Sequence, residues 1–433
     1  MAPECWGTPF GQTVWADAGI VVPWNLYVMT GNKEIILENY ASMERYMNFL
    51  SRQVFDGYNY NGGGLEWGDW LSFVSTDTRY IAVAYYAYVT QLMAKMSRAL
   101  SENESDAYAQ KAAQYDELFQ NIKAEFRKRY ITPTVRQTTQ TALLMAMQFN
   151  LLEGDEEIEN FKTRLVRAIR GNGYKLNTGF AGTPLLGPTL SRYGLNDYAY
   201  DLLLQRNCPS WLYSVDQGAT TIWERWNSYT KESGFGDPGM NSFNHYAYGA
   251  VGEWMYRYMC GIQYDEEQPG FKHIILQPQP DRRETLPSGQ ELITSASAHH
   301  NSYYGDILSA WQTSGDFHDF SYDCTVPANT TATLYLPVES EQTAVMESGQ
   351  PAEEAEGIEY VGFENGCKVY RLGSGSYRFT TALKTAVNDI VAPQQSGPIY
   401  DLLGRQLRST DESLKGLPSG IYLSKGKKVV AHP

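Results

Sequence analysis

The residues best suited to chemistry lie in "GATTIWERWN", Gly218 to Asn227, where one carboxylate, Glu224, stands among Trp223, Arg225 and Trp226. Two further stretches repeat the theme. "VWADAG" (14–19) sets Asp17 two residues after Trp15, and "LEWGDWLSF" (65–73) sets Asp69 between Trp67 and Trp70. A flat indole covers the apolar face of a pyranose while a carboxylate accepts hydrogens from neighbouring hydroxyls, so this pairing suits a sugar site. One such cluster reads equally well as a core Trp beside a helix-capping Asp. Three in one chain favour the sugar. "NSFNHYAYG" (241–249) adds His245. A lone histidine is more often a cap or a core residue, and no second histidine stands at metal-ligand spacing from it, so a metal site is not expected; the reading calls for no cofactor.

Glycoside hydrolysis generally takes two carboxyl groups, one protonating the leaving oxygen and one serving the opposite face. Glu224 fits the second task. In an extended segment Glu224 and Trp226 share one face, while Trp223 and Arg225 share the other. An indole wall disfavours the carboxylate and a nearby guanidinium favours it, which suits a base that must stay ionised and still take a proton from water. A buried ion pair has the same composition, so a structural acid remains the alternative.

These residues must be held by helices. The segment 80–100, "YIAVAYYAYVTQLMAKMSRAL", begins apolar nearly all round, as a buried helix does. The next, 105–130, is one-sided, with Tyr108, Ala112, Tyr115, Phe119, Ile122 and Phe126 recurring at helical spacing. The alternation of inner and outer helix recurs at 139–152 and 157–171, and more faintly from Thr178 to Arg206. Several such hairpins closed into a ring give an (α/α) barrel; an open helical array has the same periodicity. A last helix is expected over 241–262, with Phe243, Ala247, Val251, Trp254, Met255 and Tyr258 on one face. Beyond it, period-two stretches such as "TATLYLPV" (331–338) and "CKVYRL" (367–372) predict an antiparallel β-sandwich over 263–385. A linker, "VAPQQSGP" (391–398), leads to a short β-module within 386–433.

The bulk properties agree with a protein built around sugar. The 433 residues are enough for two or three domains and include 32 Tyr, 10 Trp and 16 Phe. A net charge of −14, with no basic tract before "KGKK" near the end, argues against nucleic acid as a partner. The acidic runs 101–106, 153–159 and 353–356 read as solvated loops or helix starts. Five scattered cysteines, including Cys5, form no C-x-x-C and suggest neither a disulfide framework nor a zinc site. No apolar run reaches the roughly 20 residues of a membrane span. The first residues have no signal-peptide pattern and suggest a segment of a longer protein.

At "GFAGTPLLGPTLSRYG", "PSWLYSVDQGATTIWERWN", "MNSFNHYAYGAVGEWMYRYMCGI" and "PGFKHIILQP" the chain strongly resembles bacterial α-L-rhamnosidases of glycoside hydrolase family 78. "VWADAGIVVPWNLY" and "LEWGDWLSF" are similar to the same family, in the same order, and the likeness runs from about residue 10 to residue 340. The resemblance implies an (α/α)6 barrel followed by a β-sandwich, and an inverting attack on terminal α-L-rhamnosides, with rhamnose-containing glycosides or polysaccharides as partners. By the same resemblance Glu224 is the general base and His245 lines the sugar pocket. Trp15, Trp67 and Trp70 supply aromatic walls, and Asp17 and Asp69 stand near the sugar or behind it; Trp223 and Arg225 flank the base. The family's general acid comes from a motif resembling "DERLGWTGD", upstream of the "VWADAG" position. Nothing before residue 14 resembles it, and Glu4 is no substitute. The expectation is therefore the C-terminal part of a rhamnosidase, its first barrel helices and its acid lying outside this chain. Lacking the acid, the leaving oxygen departs unassisted, a loss of roughly 10²–10⁴-fold in rate. The tail looks like C-terminal β-modules of secreted Bacteroidetes proteins, which implies a periplasmic, outer-surface or extracellular setting. Two other readings are a carbohydrate-binding remnant without catalysis, and a different (α/α)-barrel glycosidase or a polysaccharide lyase.

Overall fold

Which helices stand inside is decided by how much of each circumference is apolar. The structure is a computed structural model and describes residues 13–61, 67–101, 107–132, 137–384, 399–400, 405–408, 420–424 and 427–431. Glu4, Cys5, most of the acidic run 101–106 and the 391–398 linker lie outside the described residues. Helices α1 (Ala18–Thr30) and α2 (Glu34–Phe49) come first. Helix α3 (Thr78–Leu100) is buried along most of its length from Tyr80 to Ser97, and Asp77 caps it by accepting the Arg79 N–H at 2.8 Å. Its partner α4 (Ala107–Tyr130) buries only Ala112, Phe119, Ile122 and Phe126, the stripe of an outer helix. The contrast repeats in α5 (Gln140–Gln148), buried all round, and α6 (Gly154–Gly171), which buries Phe161, Leu165 and Ile169 at intervals of four. A shorter pair follows, α7 (Thr183–Arg192) and α8 (Asn196–Leu203).

The inner helices α1, α3, α5 and α7 pack side by side in that order. After α9 (Trp211–Asp216) the chain forms a long loop and then a continuous helical run against α7. It passes from a 3-10 turn (Ala247–Ala250) through α10 (Val251–Trp254) to a π turn (Met255–Met259). Gly187 of α7 makes this contact possible, since a Cβ there would lie 2.6 Å from the Trp254 ring. The observed run begins at Ala247, not at Asn241 as the periodicity suggests, because 242–245 are spent on hydrogen bonds to 221–224. The two ends of the inner arc approach each other around a cavity of about 320 Å3, lined by Asn25, Val28 and Met29 of α1 and by Glu253, Tyr256 and Arg257. No residue of the Glu224 loop lines it. No helix among the described residues is long and apolar enough to cross a membrane.

Two small hairpins interrupt the helices, β1 (Phe55–Asp56) with β2 (Asn59–Tyr60), and β3 (Tyr229–Thr230) with β4 (Gly234–Phe235). The strands proper start three residues after the last helical turn. They are β5 (Ile262–Tyr264), β6 (His273–Leu276), β7 (Ser295–Ser302), β8 (Gly305–Thr313), β9 (Phe320–Val326) and β10 (Thr331–Pro337). There follow β11 (Met346–Glu347), β12 (Gln350–Pro351), β13 (Ile358–Glu364), β14 (Cys367–Leu372) and β15 (Gly375–Thr381). They form a five-stranded sheet in the order β13-β14-β10-β6-β5 and a six-stranded sheet in the order β12-β11-β15-β9-β8-β7. Inward residues of both, among them Ile274, Leu334, Tyr370, Tyr322 and Phe379, belong to one core. The sandwich is antiparallel, as expected, with one exception among the described strands: β6 and β10 run parallel, Thr331 opposite His273 through Leu334 opposite Leu276. Parallel neighbours need a long crossover, and residues 277–330, with β7 to β9, supply it. In the tail, β16 (Ile399–Tyr400), β17 (Gln406–Arg408), β18 (Gly420–Ser424) and β19 (Lys427–Ala431) form an antiparallel sheet of their own.

The helical unit and the sandwich are joined by buried polar contacts. Trp311 Nε1 of β8 donates to the Met259 carbonyl at 2.8 Å. Arg283, after β6, makes a two-pronged pair with Asp281 (2.9 and 2.8 Å) and reaches Asp201 of α8 at 2.8 Å, its side chain almost wholly buried.

Candidate active site

Glu224 sits on the loop between α9 and the 247–259 run, and backbone hydrogen bonds to a neighbouring segment hold it there. His245 N–H donates to the Ile222 carbonyl and Glu224 N–H to the Ser242 carbonyl, both at 2.9 Å. The Thr221 hydroxyl donates to the Phe243 carbonyl. The side chain is held too, because the Ser242 N–H donates to Glu224 Oε2 at 2.7 Å. Among the described residues Oε1 has no hydrogen-bond partner. Glu224 is only 9% exposed. A buried carboxylate with one oxygen fixed by an amide and the other open can take a proton from a bound molecule.

The loop is irregular, not extended, so the expected alternation of faces does not occur. Trp223 and Trp226 are both buried, on either side of Glu224. Trp226 is the anchor. It stacks on Tyr248 with ring centres 3.8 Å apart and donates from Nε1 to the Thr178 carbonyl at 3.0 Å. Trp223 meets the Phe243 ring edge-on at 5.2 Å. Arg225 turns away: its Nη1 donates to the Met240 carbonyl at 3.4 Å, and no ion pair joins it to Glu224 among the described residues. The expected neighbour of the carboxylate was the Arg225 guanidinium; the group that contacts it is the Ser242 amide.

His245 lies beside this loop. Its Nδ1 accepts the Ala247 N–H at 3.3 Å, which leaves the hydrogen of the neutral ring on Nε2 and makes that edge a donor. Phe180 stands 4.8 Å from the His245 ring and 5.3 Å from Tyr248, wedged between them. Burial pushes the Tyr248 phenol far above its ordinary value, with the Asp69 and Glu224 carboxylates adding to the push and Arg225 opposing it.

Asp69 is the keystone of the neighbouring loop. Its Oδ1 accepts from the amides of Ala181 (2.9 Å) and Gly182 (3.0 Å), and its Oδ2 from the Gly179 amide (2.8 Å) and the Thr141 hydroxyl. Burial raises its pKa, against the pull of these four donors. Phe180 N–H completes the junction by donating to the Trp70 carbonyl at 3.0 Å. Gly179 permits so close an approach, since a Cβ there would lie 2.1 Å from the Trp70 oxygen. Trp67 and Trp70 meet edge-on at 5.1 Å, both half-buried beside this junction.

Asp17 is fully buried and is engaged by the Val14 N–H (2.6 Å) and the Tyr46 hydroxyl (2.8 Å). Burial pushes its pKa up to about 6, against those two donors. The Tyr85 phenol feels both Asp17 and Asp69, so the two carboxyls share a neighbourhood. Trp15 is half-buried, and its described contact is to its own turn, Ala18 N–H to the Trp15 carbonyl at 3.3 Å. The structure thus brings together Glu224, Trp223, His245, Asp69 and Trp70 through the 178–182 loop, and leaves Trp15 without a described contact to them. Reasoning from residue types missed Phe180, Phe243, Tyr248 and the Ser242 amide. The glycines flanking Phe180 in "TGFAGTP" were the available signal.

Helical hairpins in an inner and outer layer, followed by a sandwich and carrying a buried acid among rings, define a hairpin-built helical glycosidase architecture. The family model described as bacterial alpha-L-rhamnosidase 6 hairpin glycosidase domain matches residues 1–259, and that of the bacterial alpha-L-rhamnosidase C-terminal domain matches residues 261–350. The chain belongs to the bacterial α-L-rhamnosidase six-hairpin glycosidase family. It is 36% identical over 384 residues to an alpha-L-rhamnosidase of Streptomyces avermitilis, covering 88% of this chain and 34% of that protein. It is 35% identical over 340 residues to an alpha-L-rhamnosidase of Formosa agariphila, covering 76% of this chain and 34% of that protein. The crystal structure of the Streptomyces avermitilis alpha-L-rhamnosidase complexed with L-rhamnose superposes with a TM-score of 0.76 at 35% identity, over 87% of this chain and 34% of that one. The chain thus spans about a third of the length of the curated relatives it matches.

Proposed function

We propose that this chain carries the sugar pocket and the general-base half of an α-L-rhamnosidase acting by inversion on terminal α-L-rhamnosides. The observation that carries the reading is Glu224, buried in an aromatic frame with Oε2 fixed by the Ser242 amide and Oε1 open. Family membership and relatives named alpha-L-rhamnosidase, one of them solved with L-rhamnose, supply the sugar. In the proposed step Oε1 accepts a proton from water as the water oxygen bonds to the anomeric carbon and the glycosidic bond breaks. His245 Nε2–H donates to a sugar hydroxyl, and the indoles cover the apolar sugar face. Departure of the leaving oxygen calls for a second carboxyl group. Neither Asp17 nor Asp69 is assigned that task, because each is taken up by donors of the protein itself. The setting we propose is the periplasm, the outer surface or the extracellular space, supported by the resemblance of the tail to secreted β-modules.

Calorimetric titration of the chain with L-rhamnose, beside an assay on an aryl α-L-rhamnoside, tests the reading. Rhamnose binding with hydrolysis that is slow, for want of an assigned acid, and that Glu224→Gln lowers further supports it. Turnover undiminished in Glu224→Gln refutes the base, fast hydrolysis by the chain refutes the division of the two carboxyl roles, and absence of rhamnose binding refutes the pocket.

A further inference from the structure

Phe235 closes the β3–β4 hairpin and is 73% exposed, although it is a phenylalanine beside a well-packed loop. A singly exposed apolar side chain needs no explanation. This one is the end of a row. Its ring lies 5.2 Å from Tyr229 and 5.5 Å from Phe243, at interplanar angles of 64° and 85°. Phe243 in turn meets Trp223, the residue before Glu224, at 5.2 Å and 76°. Three rings, Trp223, Phe243 and Phe235, therefore run from the Glu224 loop to the surface, each meeting the next by its edge, and Tyr229 packs against Phe235 as well. Edge-to-face packing on two sides fixes the Phe235 ring while leaving most of it open to solvent.

The hairpin is built to hold that ring in place. Gly234, at φ +71°, opens β4 straight after the 231–233 turn, and the Gly236 N–H returns to the Ser228 carbonyl at 2.9 Å. The Asn241 side-chain amide donates to the same carbonyl at 2.9 Å, tying the hairpin to the strand-like segment that orients Glu224. The platform and the base are thus linked through the Ser228 carbonyl and the Asn241–Ser242 segment. Lacking a polar handle, Phe235 offers only a flat apolar face. It cannot select hydroxyl groups, so it suits the group attached to the sugar better than the sugar itself.

Resting on the rhamnoside reading above, we propose that Phe235 is the stacking platform for the leaving group, recognising a flat ring with an apolar face. Such a ring is an aromatic aglycone or the apolar face of a second pyranose. The experiment uses the full chain and three hydrolysis-resistant probes: methyl, phenyl and glucosyl 1-thio-α-L-rhamnosides. Affinities are measured calorimetrically for the wild type, Phe235→Ala and Phe235→Tyr. The expected result is a loss of about 3- to 10-fold in affinity for a ring-bearing probe in Phe235→Ala, recovery in Phe235→Tyr, and methyl-probe binding unchanged within 2-fold. Loss with the phenyl probe alone assigns an aromatic aglycone; loss with the glucosyl probe as well assigns a ring of either kind. Unchanged affinity for both ring-bearing probes, or an equal loss for all three, overturns the platform and leaves the rhamnoside reading intact. Binding of none of the three by the wild type overturns the rhamnoside reading, and the platform with it.

Discussion

Replacing Asp69 by Asn changes one atom, yet it should dismantle the junction on which the site rests. Each oxygen of the carboxylate accepts two hydrogen bonds: Ala181 and Gly182 amides on Oδ1, the Gly179 amide and the Thr141 hydroxyl on Oδ2. An amide can satisfy only one of those pairs. In its better orientation the new NH2 faces Thr141, whose hydroxyl can reverse and accept, and Gly179, whose N–H cannot. One buried N–H is then orphaned, at about 1–3 kcal/mol. The bonds that survive lose the charge that roughly doubled their strength. Relief of the buried charge, the cause of the raised Asp69 pKa, offsets part of this. The net expectation is about 2–4 kcal/mol, which for a helical unit of this size lowers its midpoint by roughly 5–15 °C. Calorimetry gives the midpoint, and amide hydrogen exchange at 179–182 locates the damage, where protection should collapse first. A midpoint within about 1 °C of wild type with unchanged exchange refutes the reasoning. If stability is kept and only rhamnose affinity falls, Asp69 touches the sugar and does not build the loop.

Asp17→Asn should behave in the opposite way. An Asn there can accept from the Val14 N–H and donate to the Tyr46 oxygen, so both contacts survive. Because the folded pKa of Asp17 is raised from 3.8 to about 6, its contribution to stability is complete below about 3.8 and lost as pH rises through about 6, a change of about 3 kcal/mol. Unfolding followed from pH 3.5 to 7.5 should show that decline in the wild type and a flatter profile in the variant; identical profiles contradict the assignment. Arg283→Met should cost about 3–5 kcal/mol by stranding Asp281 and Asp201 without their cation, seen as faster proteolysis in the 277–294 segment. Wild-type resistance there would mean that the cluster does not hold the two units together.

Much of the helical layering could be read from periodicity alone, since α3 against α4 and α5 against α6 differ in how far round the apolar residues extend. The acids and indoles of the site were visible as residue types. Their division of labour was not. Asp69 takes its partners 72 to 113 residues further on, and no local pattern announces which carboxylate faces a ligand and which is consumed by donors of the protein itself. Arg225 follows Glu224 directly and so invites an ion pair, but the loop turns it toward Met240. The helix start at Ala247 was obscured because 242–245 keep apolar spacing while pairing with 221–224. The parallel pair β6–β10 lay beyond reach for the same reason, since alternation predicts a strand and not the direction of its neighbour.

That parallel pair bears on heredity. Strand β6 sits between β5 and β10, so two strands of the five-stranded sheet belong to the chain that has only just left the helices. A recombination event that transplanted residues from β7 onward would deliver a sheet missing one edge, with the Leu334 and Ala332 row laid bare. A break upstream of β5 would instead strip the last helical turn of the carbonyl-bound Trp311. The two units therefore share a seam of backbone: a cut on either side of β5 leaves one of them with polar groups or a strand edge that has lost its partner.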